Sequence, residues 1–197
     1  MNISRLRIGI DGKGVTTLVS SVGCPLHCQY CINKKILAAN KFENVTAKEL
    51  VERVRGDHLY YCATGGGVTF GGGESLLQAS FFSYFRKECP EEWRLCAETS
   101  LSVPQETVAL AAESIDEFIV DCKDMDPEIY HNYTGGDESL MESNLRFLIG
   151  RAGPERVVVR VPLIPDYNDG EKREKSIEKL KAMGVERMDF FSYVVRE

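Results

Sequence analysis

No stretch of the sequence is apolar for long enough to span a bilayer as a helix. No long apolar run follows the charges of the opening MNISRLRIGIDGKG, so a secretory leader is not expected, and the reading is of a soluble, cytoplasmic protein. A basic excess is missing too. The 24 Lys and Arg stand against 30 Asp and Glu, a net charge of −6, which disfavours a nucleic acid gripped by its phosphates. Low-complexity tracts, internal repeats and Ser/Pro-rich linkers are absent, so residues 1–197 are expected to form a single domain. With 43% hydrophobic and 27% charged residues, the composition is that of a globular chain with a real core.

Apolar runs alternate along the chain. Val15 to Ser21, Gly67 to Phe70, Trp93 to Thr99, Glu117 to Cys122, Val157 to Ile164 and Met188 to Val195 read as strands. Between them, Thr46 to Arg55 reads as a helix opened by a Thr46/Glu49 capping box. Ser75 to Glu88, Pro104 to Glu113, Glu138 to Ile149 and Glu171 to Met183, stopped by Gly184, read as further helices. Strand–helix alternation predicts a parallel α/β sheet with right-handed crossovers. A complete eightfold barrel takes about 250 residues. This chain has room for about six units, so an open, partial (β/α)6 barrel is expected. Ligands in such folds sit at the C-terminal ends of the strands. There the sequence places Cys24, the run Gly71, Gly72, Gly73 and Glu74, then Glu98, Asp121 with Lys123, and Arg160.

Three of the seven cysteines fall within eight residues, in GCPLHCQYC: Cys24, Cys28 and Cys31. Clustered thiolates suit an iron–sulfur cluster or zinc. A structural zinc needs four protein ligands, and His27, beside Cys28, is awkwardly placed as the fourth. Three ligands on a cubane leave one iron open for chemistry. Cys62, Cys89, Cys96 and Cys122 are scattered and read as core or surface residues. His58 reads as solvent-facing, and His131 as a loop or helix residue. Arg160 sits in an apolar strand and needs an anionic partner. Glu74 follows glycines that allow close backbone approach, and can accept from an ammonium or cap the following helix.

The C-x3-C-x2-C spacing, with Tyr30 before the last cysteine, resembles the radical S-adenosylmethionine superfamily. Within it the chain resembles the activating enzymes of glycyl radical enzymes, of the pyruvate formate-lyase activating type and without their ferredoxin-like insert. Five segments carry the resemblance in order: Asp11-Gly12-Lys13-Gly14, GCPLHCQYCIN, GGGVTFGGGESLLQ, DCKDMDPEIYHNYTG and VVVRVPLIPDYND. Lys13 stands where the family has proline, Ile32 where it has histidine, Glu98 where it has aspartate, and Lys175 about where it has a cofactor-contacting histidine.

The resemblance implies that Cys24, Cys28 and Cys31 hold a 4Fe–4S cluster whose fourth iron is chelated by S-adenosylmethionine. Tyr30, Gly72, Gly73, Glu74, Glu98, Asp121, Lys123 and Arg160 would line the cofactor, and Asp11 could touch substrate. It further implies reductive cleavage to a 5′-deoxyadenosyl radical and hydrogen abstraction from a glycine of a partner protein. A flavodoxin- or ferredoxin-like protein would supply the electron, and the partner would close the open barrel edge. Two alternatives are a radical enzyme acting on another peptide or on anaerobic ribonucleotide reductase, and a non-catalytic iron–sulfur electron-transfer module.

Overall fold

The computed structural model describes residues 2–38 and 42–193. One mixed sheet organises them. Its strands are β1 (Asn2–Ile8), β2 (Val15–Ser21), β3 (Gly67–Gly72), β4 (Arg94–Thr99), β5 (Glu117–Asp121), β6 (Val157–Leu163) and β7 (Arg187–Ser192). They lie in sequence order, and each pair from β2 to β7 is parallel. The sheet does not close; β1 and β7 are its edges.

The helices are α1 (Lys34–Ala38), α2 (Ala47–Val54), α3 (His58–Thr64), α4 (Ala79–Glu88), α5 (Gln105–Ala112), α6 (Pro127–Thr134), α7 (Glu138–Ala152) and α8 (Glu171–Ala182). The expected capping box is present on α2: Thr46 Oγ1 accepts from Glu49 N at 3.2 Å, and the Glu49 carboxylate accepts from Thr46 N at 2.8 Å.

Three features correct the sequence reading. The sheet has seven strands rather than six, because β1 adds antiparallel to β2. Arg5 anchors that strand by a bidentate pair to buried Asp57, at 2.5 and 2.9 Å. The helix expected over Ser75 to Glu88 opens with a 3-10 turn at Ser75–Gln78. His58 is half-buried, not solvent-facing, because its Nδ1 accepts the indole N–H of Trp93 at 2.9 Å. The end of the strand expected to reach Val195 lies outside the described residues.

The core fills the space between sheet and helices. Trp93, Tyr61, Phe82, Phe85 and Phe118 are fully buried there, and Phe70 stacks on Phe82 at 4.7 Å. Register then sets the site. Ser21 pairs with Gly72, and Asp121 pairs with Arg160, which pairs with Asp189. Parallel strands in this register bring the residues singled out by sequence to one end of the sheet.

Candidate functional site

The cysteine loop leaves β2 at Ser21 and is fastened on two sides. On one side is the turn after β3. Gly73 N donates to Ser21 O at 3.2 Å, and Glu74 N donates to Gly23 O at 2.9 Å. A Cβ on Gly73 would lie 2.0 Å from Gly23 O, so only glycine permits this approach. Asn33 Nδ2 closes the loop by donating to Gly72 O at 2.6 Å. On the other side is the end of α6. The residues flanking Cys28 bond there: His27 N to Thr134 O at 2.8 Å and Gln29 N to Tyr133 O at 3.1 Å. Leu26 is buried against Gly136, just beyond α6.

Cys24, Cys28 and Cys31 are unbonded and half-buried in this loop. Burial raises the Cys24 thiol and pushes the Cys28 thiol up to about 11. Lys123 pulls both in the opposite direction. Burial thus favours the protonated form of these two thiols until a metal displaces the proton. Among the described residues, no three His, Cys, Asp or Glu side chains close around a single ion position. Three soft thiols on one pinned loop are a donor set that suits an iron–sulfur cluster.

Glu74 is only 2% exposed, and its carboxylate is fully engaged. Oε1 accepts from Thr99 Oγ1 at 2.7 Å and from Leu76 N at 3.1 Å. Oε2 accepts from Ser100 N at 2.8 Å and Ser100 Oγ at 2.6 Å. The sequence allowed two roles, acceptor for a ligand ammonium or cap of the next turn. In the structure the side chain caps the turn that follows and ties the β3 turn to the end of β4.

Lys123 is buried, and its ammonium donates to Asp121 Oδ2 at 2.5 Å and to Tyr193 OH at 2.6 Å. Although burial opposes the charge, Asp121 and the surrounding groups hold Lys123 well above its ordinary value. Asp121 Oδ1 is buried and has no hydrogen-bond partner among the described residues. Arg160 has its anionic partner within the chain: its Nη1 donates to Glu98 Oε1 at 2.6 Å. It also donates to Ile10 O and lies 3.6 Å from Asp189. Asp11 is buried and paired with Arg7, and its carbonyl accepts from Thr69 Oγ1 at 2.5 Å. The Asp11–Gly12 segment thus packs against β3 and β4, with Gly12 against Cys96. Tyr30 donates to Asp166 at 3.2 Å and meets Tyr133 and Tyr167 edge-on, at 5.9 and 6.0 Å.

Sequence reasoning missed this tyrosine group. Tyr133 packs on Tyr167 at 5.0 Å and on Tyr193 at 6.2 Å. The sequence signal was slight: Tyr133 precedes the Thr-Gly that ends α6, and Tyr193 stands just past β7. A cleft of about 510 Å³ opens beside the group, between α6 and α8, where Tyr167, Asp166 and Lys175 are among its walls. A separate apolar groove of about 300 Å³, lined by Val19, Phe70 and Phe82, lies among α2, α4 and the sheet and holds none of the candidate ligands.

Comparison with known proteins places this geometry. The profile of the Radical SAM superfamily matches residues 18–192. The (2S)-3-sulfopropanediol dehydratase activating enzyme of Klebsiella oxytoca is 35% identical over 85% of this chain and 72% of its own. The isethionate sulfite-lyase activating enzyme of Desulfovibrio desulfuricans is 32% identical over 87% of this chain and 55% of its own. The pyruvate formate-lyase 1-activating enzyme of Escherichia coli is 27% identical, over 93% and 76%. The Streptococcus suis SuiB structure bound to S-adenosylmethionine superposes with a TM-score of 0.68 at 16% identity, over 90% of this chain and 40% of that one. That likeness concerns the fold.

Proposed function

Because this chain belongs to the radical S-adenosylmethionine superfamily, we propose that it is an activating enzyme acting on a glycine of a partner glycyl radical enzyme. Cys24, Cys28 and Cys31 hold one 4Fe–4S cluster, and S-adenosylmethionine binds beside it at the C-terminal ends of β3 to β6. When bound, the reduced cluster and S-adenosylmethionine supply a 5′-deoxyadenosyl radical that removes a hydrogen atom from the partner's glycine.

The chain's own residues shape and charge that space. The Gly72–Gly73 backbone leaves room for a ligand beside the loop, and Glu74 holds the turn rigid. Asp121 Oδ1 is an open acceptor for a ligand hydroxyl. Lys123, Arg160, Glu98 and Asp11 supply paired charges that exclude loose water and fix the polarity of the mouth. Tyr30 forms one wall. Residues 1–197 act as one domain, and a flavodoxin- or ferredoxin-like protein supplies the electron. The edge strands bear exposed Ile8 and Phe190, where a partner's loop enters the open side.

The observation that carries this reading is the loop of three unbonded cysteines, stitched at the residues flanking Cys28, opposite Lys123 and Asp121. The test is electron paramagnetic resonance of the anaerobically reconstituted, reduced protein. A cluster signal that shifts on adding S-adenosylmethionine, and that Cys28→Ala abolishes, is expected. 5′-Deoxyadenosine should form under turnover, with a glycyl radical doublet on the partner. A cluster indifferent to the cofactor would make the protein an electron-transfer module, and a preparation that takes up zinc but no iron would overturn the cluster assignment.

A further inference from the structure

The chain carries 30 Asp and Glu, yet none lies between Asp11 and Glu43. That stretch holds the three loop cysteines together with Lys34, Lys35 and Lys41. Along the loop and α1, Pro25, His27, Gln29, Ile32, Lys34 and Lys35 are exposed. Ile32, next to Cys31, is 75% exposed. Leu77 is 46% exposed and lies against Gly23, next to Cys24: a Cβ on that glycine would be 3.3 Å from Leu77 Cδ1. Two bare apolar side chains therefore adjoin the first and last cysteines of the loop.

The charge beside them is basic. Helix α1 lies on the β3 side of the loop, where Asn33 donates to Gly72 O at 2.6 Å and a Cβ on Gly73 would meet Leu37 Cδ2 at 3.2 Å. The carboxylates on that side are neutralised or buried. Glu43, which shares a groove with Gln78, is paired with Arg53 at 2.6 and 2.8 Å. Glu74 is 2% exposed and fully bonded. Asp166 and Asp137 belong to the α6 side, where the first accepts from Tyr30 and the second caps α7. Lys123 is the only lysine in an ion pair among the described residues, so Lys34 and Lys35 present uncompensated charge.

We propose that this face, centred on Ile32 and Leu77 and rimmed by Lys34 and Lys35, docks a small acidic electron-carrier protein that reduces the cluster. The inference rests on the functional reading above and adds the surface through which the electron enters. In that reading the cofactor and the partner's glycine fill the mouth, so the carrier needs another approach. Electron transfer through protein weakens steeply with distance, and this face adjoins two of the three cluster ligands. Exposed ammoniums steer an acidic protein toward them, and a small apolar centre suits a brief encounter rather than a stable complex. The carrier gives up one electron and the oxidised cluster accepts it; no bond forms or breaks in that step.

The test follows cluster reduction by anaerobic stopped-flow absorbance. One reductant is photoreduced flavodoxin; the other is photoreduced 5-deazariboflavin, a small neutral molecule that needs no docking. Lys34→Glu/Lys35→Glu is compared with wild type and with Lys48→Glu/Lys181→Glu, which makes the same charge change on exposed positions of α2 and α8. The first variant should be reduced by flavodoxin about tenfold more slowly at low salt, and by deazariboflavin at the wild-type rate. Added salt should slow wild type and shrink the difference. Equal rates with flavodoxin, an equal loss in the α2/α8 variant, or a wild-type rate indifferent to salt would each overturn the inference and leave the cluster reading intact. Normal reduction with loss of glycyl radical formation would overturn it too, and assign the face to the glycyl radical partner. Should the double reversal take up less iron, Lys34→Gln/Lys35→Gln replaces it, and an unchanged flavodoxin rate there is the overturning result. Failure of wild type to assemble any cluster would overturn the functional reading and this inference together.

Discussion

Glu98 Oε1 lies 2.6 Å from Arg160 Nη1, so two residues that the sequence pointed toward a cofactor neutralise each other across the mouth of the sheet. Removing one partner of such a pair leaves a buried charge exposed to neither water nor a counterion. Arg160→Met should therefore destabilise the ligand-free protein by about 2–3 kcal/mol at neutral pH. That is below the roughly 3–5 kcal/mol of a fully buried pair, because the side chains retain 15% and 21% exposure. Burial pushes Glu98 above its ordinary value and Arg160 opposes the rise. Without the arginine the folded-state value climbs further. A raised carboxyl contributes stability that is fully present below its unfolded value and lost as pH rises through the folded one. The variant's deficit should thus be smallest near about pH 4.5 and grow toward neutrality. Urea denaturation across that range checks it. A deficit that shrinks with rising pH would mean the pair is not the cause.

Glu74 offers a sharper separation of roles. Its oxygens accept four bonds from Leu76, Thr99 and Ser100. Glu74→Gln turns one acceptor oxygen into a donor that faces other donors. A loss of about 2–3 kcal/mol is expected, in the range for bonds to a charged group. The loss should appear in chemical denaturation without any ligand. Full stability combined with weakened S-adenosylmethionine binding would instead assign Glu74 to the ligand.

The legible part of the fold was the part governed by local pattern. The β-branched runs at Val15–Ser21 and Val157–Leu163 gave β2 and β6, and the Thr46/Glu49 box gave α2. Strand β1 was not legible. Its residues are mostly exposed at an edge, Leu6 adopts φ 54° at an irregularity, and its anchor, Asp57, lies 52 residues away. Helix α6 did carry local signals, Asp126 as cap and Pro127 at its start, but it spans only eight residues and its buried face is Tyr130, Tyr133 and Thr134 rather than aliphatic. The site divides the same way. Strand-end residues could be listed because a parallel sheet gathers them at one end. Their pairings could not, since Arg160 with Glu98 and Tyr133 with the cysteine loop are contacts between distant segments that no spacing announces.

Asp57 supplies a prediction in acid. Burial pushes its carboxyl up, but bonds from Arg5, Thr17 and Tyr61 outweigh it, and the net shift is downward. A depressed carboxyl contributes stability that is present above its unfolded value and lost as pH falls through the folded one. Asp57→Asn should cost about 1–3 kcal/mol near neutrality, and the gap to wild type should close below about pH 4. Half of Arg5 is exposed, so the lower part of that range is expected. Urea midpoints from acid to neutral pH test this, and a constant gap would remove Asp57 as the titrating group.

Two glycines at the cysteine loop should respond very differently to the same added methyl group. A Cβ on Gly73 would sit 2.0 Å from the carbonyl oxygen of Gly23, which is backbone already bonded to Glu74 N and cannot turn aside. A Cβ on Gly136 would meet Leu26 Cδ2 at 2.4 Å, the far end of a side chain with other rotamers to adopt. Gly73→Ala must therefore push the loop away from the β3 turn, costing about 3 kcal/mol, at the upper end of overpacking penalties. It should also lose iron on anaerobic reconstitution, because Cys24 follows Gly23 directly. Gly136→Ala should cost about 1 kcal/mol and keep its iron. Iron and sulfide content per chain, measured with the thermal midpoints of both variants, compares them directly. Equal iron retention would mean that the loop can form its site without the close approach of Gly73 to Gly23.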